Sequence, residues 1–391
     1  MGLLTEYIEK NLTTEEKEAE LLRLIQQYNA YRKTFLLVFS ADWEKPVPNT
    51  SLSMQDYHII ADFLRGAKGK SIDIYLETPG GSGEAAEEIV ELLHDKFDAV
   101  NFVISGEAKS AGTIMTLAGH EIFMTEQGSL GPIDAQMKIG RSVVSAYDYM
   151  QWVKEKRDEA DKNQKLNPFD ATMVAQISPG ELNGVDNALN FAVDLVQEWL
   201  PKYKFENWEK TETKSTSVTS VMKTKRAKEI VENLINHKKW RSHGRSLKIH
   251  DLETLGLRVN KIDDDPKFAD IVYRIQTIIK LLYSTTNIYK IFATENDKLF
   301  HFFGISNPGP QNITKETEVV TANVTCKKCG SAYNFYAKFI QNKKIDEDFN
   351  RQGLEQFPKD NLYKCKKCGA ELRLEKIRDD IESQSGKKII D

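Results

Sequence analysis

The sequence predicts an α/β fold built on a parallel sheet and followed by a small metal-binding domain. Three observations carry that expectation. Strand-sized apolar runs alternate with amphipathic helical stretches between residues 34 and 124, glycine-containing turns fall where the runs end, and all four cysteines stand in two Cys-Lys-Lys-Cys-Gly steps after residue 325.

Taken in order, residues 1–33 read as a helical arm for packing or assembly, with Thr13-Thr14-Glu15-Glu16 as an N-cap signal and Leu21, Leu22, Leu24 and Ile25 as its apolar side. A strand is expected over 34–40, and a helix over 54–65 with Tyr57, Ile59, Ile60 and Phe63 at helical spacing. The strand 71–76, the turn Thr78-Pro79-Gly80-Gly81, the helix 84–94 and the strand 99–105 then make a βαβ unit, whose parallel strands are joined by a right-handed crossover. A third helix starts at Ser110, carries Ile114, Met115, Leu117 and Ala118 as far as Gly119, and is followed by a strand over 121–124. Beyond Gly131-Pro132 the pattern turns helical, over 147–159 and 184–199; residues 211–224, crowded with Thr, Ser and Lys, read as a loop. Helices follow over 226–238 and 269–282, and Asn307-Pro-Gly-Pro310 breaks the pattern. The expected domains are therefore the arm 1–33, an α/β domain 34–306 and a C-terminal domain 323–391.

Composition narrows the function classes. The chain has 391 residues, 40% of them hydrophobic, with 54 Lys+Arg against 58 Asp+Glu. That supports a large core and excludes a disordered chain, a disulfide-dependent miniature fold and a wholly basic nucleic-acid binder. A membrane-spanning helix needs about 20 consecutive apolar residues, whereas the longest compact apolar run near the start, 35–39, is strand-sized. The N-terminal MGLLTEYIEKN lacks a basic region followed by an apolar block, and Glu6 stands where a myristoylation signal has Ser or Thr. A cytoplasmic protein without membrane contact is expected, and with it a metal role for the cysteines rather than disulfides.

Three segments at strand ends concentrate the chemistry: Glu77-Thr-Pro-Gly-Gly81, Ala108-Lys-Ser-Ala-Gly112 and Ser129-Leu-Gly-Pro-Ile-Asp134. In an open parallel sheet the carboxyl ends of strands converge on one crevice, so segments far apart in sequence meet there. Ser110 lies among Ala108, Ala111 and Gly112, small neighbours that suit a nucleophile on a tight strand-to-helix turn. At a helix start, free N–H groups and the helix dipole favour developing negative charge. Ala111 N–H is one natural donor, and Gly81 supplies a second because two glycines let backbone approach a substrate carbonyl. Taken singly, a serine before a helix is an ordinary cap and Pro-Gly-Gly an ordinary turn; only their combination carries weight. Lys109 is assigned no role, since consecutive residues point apart, and His94 and His120, at the ends of apolar helices, are read as structural.

Together ETPGG, AKSAGTIMTLAGHEI and SLGPIDAQ resemble the ClpP/crotonase superfold peptidases over residues 71–136, and more loosely over 34–260. The likeness is greatest to the serine dehydrogenase proteinase family, which is related to signal peptide peptidase A. It implies a repeated ββα core with helical extensions and a serine peptidase that hydrolyses peptide or protein substrates through an acyl-enzyme on Ser110. The backbone of Gly81 and Ala111 would stabilise the oxyanion, and a homo-oligomer is expected. For the general base the resemblance leaves alternatives. A Ser110, Asp134, His243 triad is favoured, with His243 as base and Asp134 fixing its tautomer, although SHGRSL departs from the family pattern of His followed by Asp and an aromatic residue. The competing base is a helix lysine, Lys154, Lys156 or Lys162.

The doubled steps Cys326-Lys-Lys-Cys329-Gly and Cys365-Lys-Lys-Cys368-Gly predict a zinc ribbon with one structural zinc, because each forms a knuckle presenting two thiolates. The long insert between them predicts an extra hairpin. From 323 to 391 there are 15 Lys+Arg against 11 Asp+Glu, with Lys327, Lys328, Lys364, Lys366 and Lys367 beside the cysteines. With Tyr333, Phe335, Tyr336 and Phe339, this basic module either contacts nucleic acid or a partner protein, or uses the aromatics as its own core. Two other functions fit the same sequence. One is a crotonase-type thioester or ester hydrolase, and the other an inactive scaffold whose ribbon recruits a partner.

Overall fold

The structure, a computed structural model, describes residues 2–45, 47, 49–67, 69–133, 135–139, 142–211, 214–303, 318–326, 328–351 and 353–390. The chain divides into two compact units, Met1–His301 and Phe302–Asp391. The break expected at Asn307–Pro310 lies outside the described residues.

In the first unit a short helix α1 (Leu3–Glu9) precedes α2 (Thr14–Arg32), which starts in a capping box between Thr13 and Glu16. The chain then runs β1 (Phe35–Ala41), α3 (Met54–Phe63), β2 (Gly69–Glu77), α4 (Gly83–Lys96), β3 (Phe97–Ile104), β4 (Glu107–Ala108), α5 (Ala111–Leu117), β5 (Glu121–Met124) and β6 (Ser129–Leu130). A hairpin follows, β7 (Gln136–Ile139) with β8 (Ser142–Ser145), then α6 (Ala146–Asn163), α7 (Pro168–Val174) and α8 (Pro179–Trp199), which runs into a π-turn over Leu200–Lys204. Next come α9 (Ser220–Leu234), α10 (His237–Trp240), α11 (Ile249–Thr254), β9 (Asn260–Lys261), α12 (Pro266–Thr285), β10 (Ile288–Ala293) and β11 (Lys298–Phe302).

The main sheet has the order β11-β10-β1-β2-β3-β5-β9. Strands β1, β2, β3, β5 and β9 run parallel, and β10 pairs antiparallel with β1. Because both faces are covered, the central strands read as nearly continuous apolar runs. One face packs against a core that includes Ile89, Leu93, Met115, Val196 and Ile230 from α4, α5, α8 and α9. The other packs against Leu24 and Tyr28 of α2 and Ile275 and Ile279 of α12.

One polar residue on that second face is Asp73, fully buried in β2. It accepts from Tyr28 Oη at 2.6 Å, Asn101 Nδ2 at 2.8 Å and Arg32 Nε at 3.2 Å. A carboxylate so placed is tolerable only when donors satisfy it, and here they tie α2 to the sheet.

Several elements differ from expectation. Helix α9 begins at Ser220, within the stretch read as a loop, because Thr219 caps it by accepting from Met222 N–H. The β10–β11 strands and the β7–β8 hairpin escaped the sequence reading. Strand β10 is largely apolar but pairs with β1 from far along the chain, and β7 and β8 are short and pair with each other.

The second unit contains β12 (Val319–Thr325), β13 (Ala332–Lys338), α13 (Lys343–Arg351), β14 (Glu355–Gln356), β15 (Leu362–Lys364), β16 (Glu371–Arg373) and α14 (Glu375–Ser385). The insert between the cysteine steps thus holds a helix and short strands rather than an added hairpin. Phe335, Tyr336 and Phe339 are buried, with Phe335 and Phe339 among Phe357, Leu372 and Leu374, so these aromatics build the module's core. Lys327 lies outside the described residues.

Candidate active site

Across the carboxyl ends of the parallel strands runs a second, smaller set of backbone pairings. Leu52 bridges Gly81, Thr78 bridges Ala108, Ala108 pairs with Leu130 through β4 and β6, and Leu130 bridges Leu247. Short extended pieces following β2, β3 and β5 thus turn out of the main sheet and line up side by side. The three segments singled out in the sequence therefore meet here, joined by a fourth, 245–247, from far along the chain.

Ser110 sits at the turn from β4 into α5 with φ 50° and ψ −115°, a conformation that side-chain-bearing residues rarely adopt. Its hydroxyl makes no capping bond to α5 and its side chain is half-buried, so the ordinary reading of a serine before a helix does not apply. Gly80 has φ +95°, and a Cβ there would lie 2.7 Å from both Lys109 O and Ser110 Cβ. Glycine is required on both counts, by backbone conformation and by the closeness of the serine turn. At Gly81 a Cβ would lie 2.4 Å from Leu52 O. Leu52 N–H donates to Gly80 O at 2.7 Å and Ser82 N–H to Leu52 O at 3.0 Å, which leaves the N–H of Gly81 itself directed away from Leu52. The N–H groups of Gly81 and Ala111 have no acceptor among the described residues.

The loop Leu52–Ser53 that pairs with the glycines is held in turn by a buried ion pair. Lys290 Nζ of β10 lies 2.8 Å from Asp56 Oδ2 and 2.8 Å from Ser51 O, and Asp56 accepts from Ser53 N–H at 2.8 Å. Glu77, first residue of the ETPGG segment, takes no part in the crevice. Its buried carboxylate is bound by Lys280 and accepts from Ser40 Oγ at 3.2 Å.

Helix α5 is fastened to the next strand end by Thr113, whose hydroxyl lies 2.9 Å from Ala108 O and 3.0 Å from Gly131 O and accepts from Gly131 N–H at 2.9 Å. Lys109, given no role from sequence, is buried. Its Nζ donates to Ser246 Oγ at 2.9 Å, to Ser129 Oγ at 3.2 Å and to Leu130 O at 3.2 Å, with Glu107 Oε1 at 3.6 Å. Burial pushes the Lys109 amine below the usual lysine range, and the Glu107 carboxylate opposes that shift.

His243 is half-buried in the loop between buried Trp240 and Leu247, the part of the chain that joins the small ladder at Leu130. Asp134 lies outside the described residues. Of the helix lysines, Lys154 and Lys162 are exposed. Lys156 is held by Asp170 at 2.6 Å and Glu159 at 3.0 Å, hydrogen bonds that raise its pKa. A lysine base must be desolvated to lower its pKa, and none of the three is buried. His94 and His120 lie elsewhere: His94 Nε2 is 2.9 Å from Ala118 O, and His120 Nδ1 accepts from Val100 N–H at 3.0 Å.

In the second unit Cys326, Cys329, Cys365 and Cys368 place their sulfurs within 4.8 Å of one another. Cys326 Sγ is 3.6 Å from Cys368 Sγ, and Cys329 Sγ is 3.5 Å from Cys365 Sγ. Four sulfurs about 2.3 Å from a central zinc have tetrahedral edges of about 3.8 Å, so the cluster has the dimensions of a zinc site. The two steps fold alike. Gly330 N–H donates to Cys326 O at 2.8 Å and Gly369 N–H to Cys365 O at 2.9 Å, with φ of 72° and 71° at the glycines.

The parallel sheet, the cross-ladder at its carboxyl edge and the half-buried serine facing a glycine pair define an α/β protein with a crevice at the carboxyl ends of its strands. Residues 52–211, which include Gly81 and Ser110 but neither His243 nor the cysteines, match the model of the ClpP-like SDH-type serine proteinase family, as the motifs had implied. Two uncharacterized proteins of Methanocaldococcus jannaschii are similar. One is 26% identical over 230 residues, 59% of this chain and 66% of that protein, and the other 35% identical over 80 residues, 19% and 27% respectively. The chain thus spans just under two thirds of the first relative's length and about a quarter of the second's. The solved structure of a serine-to-alanine mutant of the 1510-N membrane-bound stomatin-specific protease is a further likeness, with 15% identity, a TM-score of 0.32 and coverage of 56% of this chain and 79% of that one. No helix among the described residues is long and apolar enough to cross a membrane.

Proposed function

We propose that this chain is a serine endopeptidase in which Ser110 attacks a peptide carbonyl, Gly81 and Ala111 N–H groups receive the oxyanion, and an acyl-enzyme on Ser110 is then hydrolysed. The observation that carries this reading is the state of Ser110: a strained turn holds it with its hydroxyl spent on no cap, against a glycine that no other residue could replace. His243 is the favoured base, with Asp134 as its orienting partner. In the first half-reaction the serine proton passes to the imidazole and on to the leaving amine as the C–N bond breaks. In the second, a water gives a proton to the same imidazole and its oxygen to the acyl carbon; the bond between that carbon and Ser110 Oγ breaks, and the imidazole returns the proton to Ser110 Oγ.

The reading extends to the second unit as a zinc-ribbon module in which the four cysteines bind one structural zinc, and to a homo-oligomeric protein acting in the cytoplasm. A fluorophosphonate probe tests the catalytic part. Labelling at Ser110 in the wild type, lost in Ser110→Ala, is expected. A folded Ser110→Ala protein that hydrolyses peptides at the wild-type rate would refute the nucleophile. His243→Ala set beside Lys154→Met, Lys156→Met and Lys162→Met assigns the base: loss is expected only with the first.

A further inference from the structure

The buried amine of Lys109 is bonded to three different parts of the site, and the proposed mechanism leaves it without a task. Its own backbone is part of the serine turn: Lys109 N–H donates to Thr78 O at 3.0 Å, Gly112 N–H to Lys109 O at 2.8 Å, and Lys109 O is one of the atoms that exclude a side chain at Gly80. Its side chain runs the other way, beneath Gly131, where a Cβ would come 2.9 Å from Lys109 Cδ. There the ammonium reaches Ser129 Oγ, Leu130 O and Ser246 Oγ. Ser246 Oγ passes the bond on, donating to Glu107 Oε1 at 3.2 Å. Leu247, the next residue, exchanges both backbone bonds with Leu130, at 3.0 and 2.9 Å.

The His243 loop is thus fastened at its C-terminal end by this node and at its other end by Trp240, which is buried and donates from Nε1 to Asn233 O at 2.7 Å. Between those anchors, residues 241–246 form neither helix nor strand: Arg241 is left-handed, φ 62°, and Arg245 N–H donates to Ser242 O at 3.2 Å.

We infer that Lys109 is a positioning residue: through Ser246 its ammonium fixes the His243 loop on the same short stretch of chain that carries Ser110, so that base and nucleophile are held in one register. The inference rests on the proposed serine mechanism and adds to it the residue that couples the two halves of the site. A displacement of about 1 Å in a catalytic group costs on the order of a hundredfold in rate, and an apolar side chain at position 109 would take their shared donor from Ser129 Oγ and Leu130 O, which are buried, from half-buried Ser246 Oγ and from Arg245 O, 3.5 Å from the ammonium.

A double-mutant cycle read by the rate of fluorophosphonate labelling at Ser110 tests this. Lys109→Met is expected to slow labelling about ten- to a hundredfold while circular dichroism stays unchanged. In a His243→Ala background the same substitution is expected to change the rate by less than about twofold, because the group it positions is already gone. An equal loss in both backgrounds, or none in either, overturns the inference, since a residue serving only the fold would act in both. Should Lys109→Met fail to fold, Ser246→Ala removes the relay alone and carries the same cycle, with a loss of a few-fold expected in the wild-type background only. The parent reading fails separately: labelling that persists in Ser110→Ala refutes the nucleophile. Labelling that needs Ser110 but is indifferent to His243→Ala refutes the positioning role and leaves the nucleophile in place.

Discussion

Gly80 lies so close to Ser110 that a methyl group on it would meet the serine Cβ at 2.7 Å. With its φ of +95°, Gly80 faces steric and conformational strain from any substitution, and its neighbours, Lys109 O, Ala111 N and the Cβ of Ser110, are backbone or fixed to it and cannot swing aside. Gly80→Ala is expected to destabilise the protein by about 1–3 kcal/mol and to slow Ser110 labelling by at least about tenfold, measured by urea unfolding and probe kinetics on one preparation. Gly184, inside α8 with nothing within 4 Å of a built Cβ, is the control: Gly184→Ala should stabilise by about 0.5–1 kcal/mol and leave labelling unchanged.

The backbone of Ser110 leads to a second expectation. At φ 50° a residue with a Cβ is strained, and glycine is not. Ser110→Gly should raise the unfolding free energy by about 1 kcal/mol while abolishing labelling, whereas Ser110→Ala should abolish labelling with little change in stability. A melting temperature that falls in Ser110→Gly would argue that the turn is relaxed, and with it the case for a poised nucleophile.

His94 gives a pH dependence of defined sign. Its ring stacks on Tyr203, and burial pushes its pKa from 6.5 down to about 4. Between those values the unfolded chain binds a proton that the folded chain excludes. The associated stability is therefore fully present above about pH 6.5 and is lost as pH falls toward about 4. The melting temperature of the wild type should drop over that interval more steeply than that of His94→Phe. Parallel curves for the two proteins would remove His94 from the account.

Metal removal addresses the second unit. About one zinc per chain is expected by emission spectroscopy, and binding of a structural zinc to such a site supplies on the order of 10 kcal/mol. Chelation, or Cys365→Ser, should therefore unfold the small strands around the cysteines, read as loss of amide protection over 319–338 and 362–373. Intact protein that carries no zinc would refute the assignment.

Much of the crevice could be read from local pattern. The Pro79-Gly80-Gly81 turn, the small residues about Ser110 and the paired cysteine steps each reflect backbone requirements satisfied within a few residues of themselves. The structure puts the glycine pair against the serine and the four sulfurs in one cluster. Lys109 was invisible for the opposite reason. Adjacency to Ser110 argues that its side chain leaves the crevice, which it does, but its partners Ser129 and Ser246 are 20 and 137 residues away in sequence. The same distance hid the β10 strand, whose Lys290 meets Asp56 from 234 residues away and steadies the Leu52 loop behind the glycines.

What the sequence determined alone is whatever hydrophobic period and turn chemistry encode over one or two turns of chain: the alternation of strand and helix, the place of the serine and the metal knuckles. What only the tertiary structure decided is which loops share a crevice, because the pairing of Leu130 with Leu247 and the reach of Lys109 to Ser246 follow from the stacking of whole strands and helices. A side chain's partner across such a distance is fixed by packing of the entire core, and no short stretch of residues contains that information.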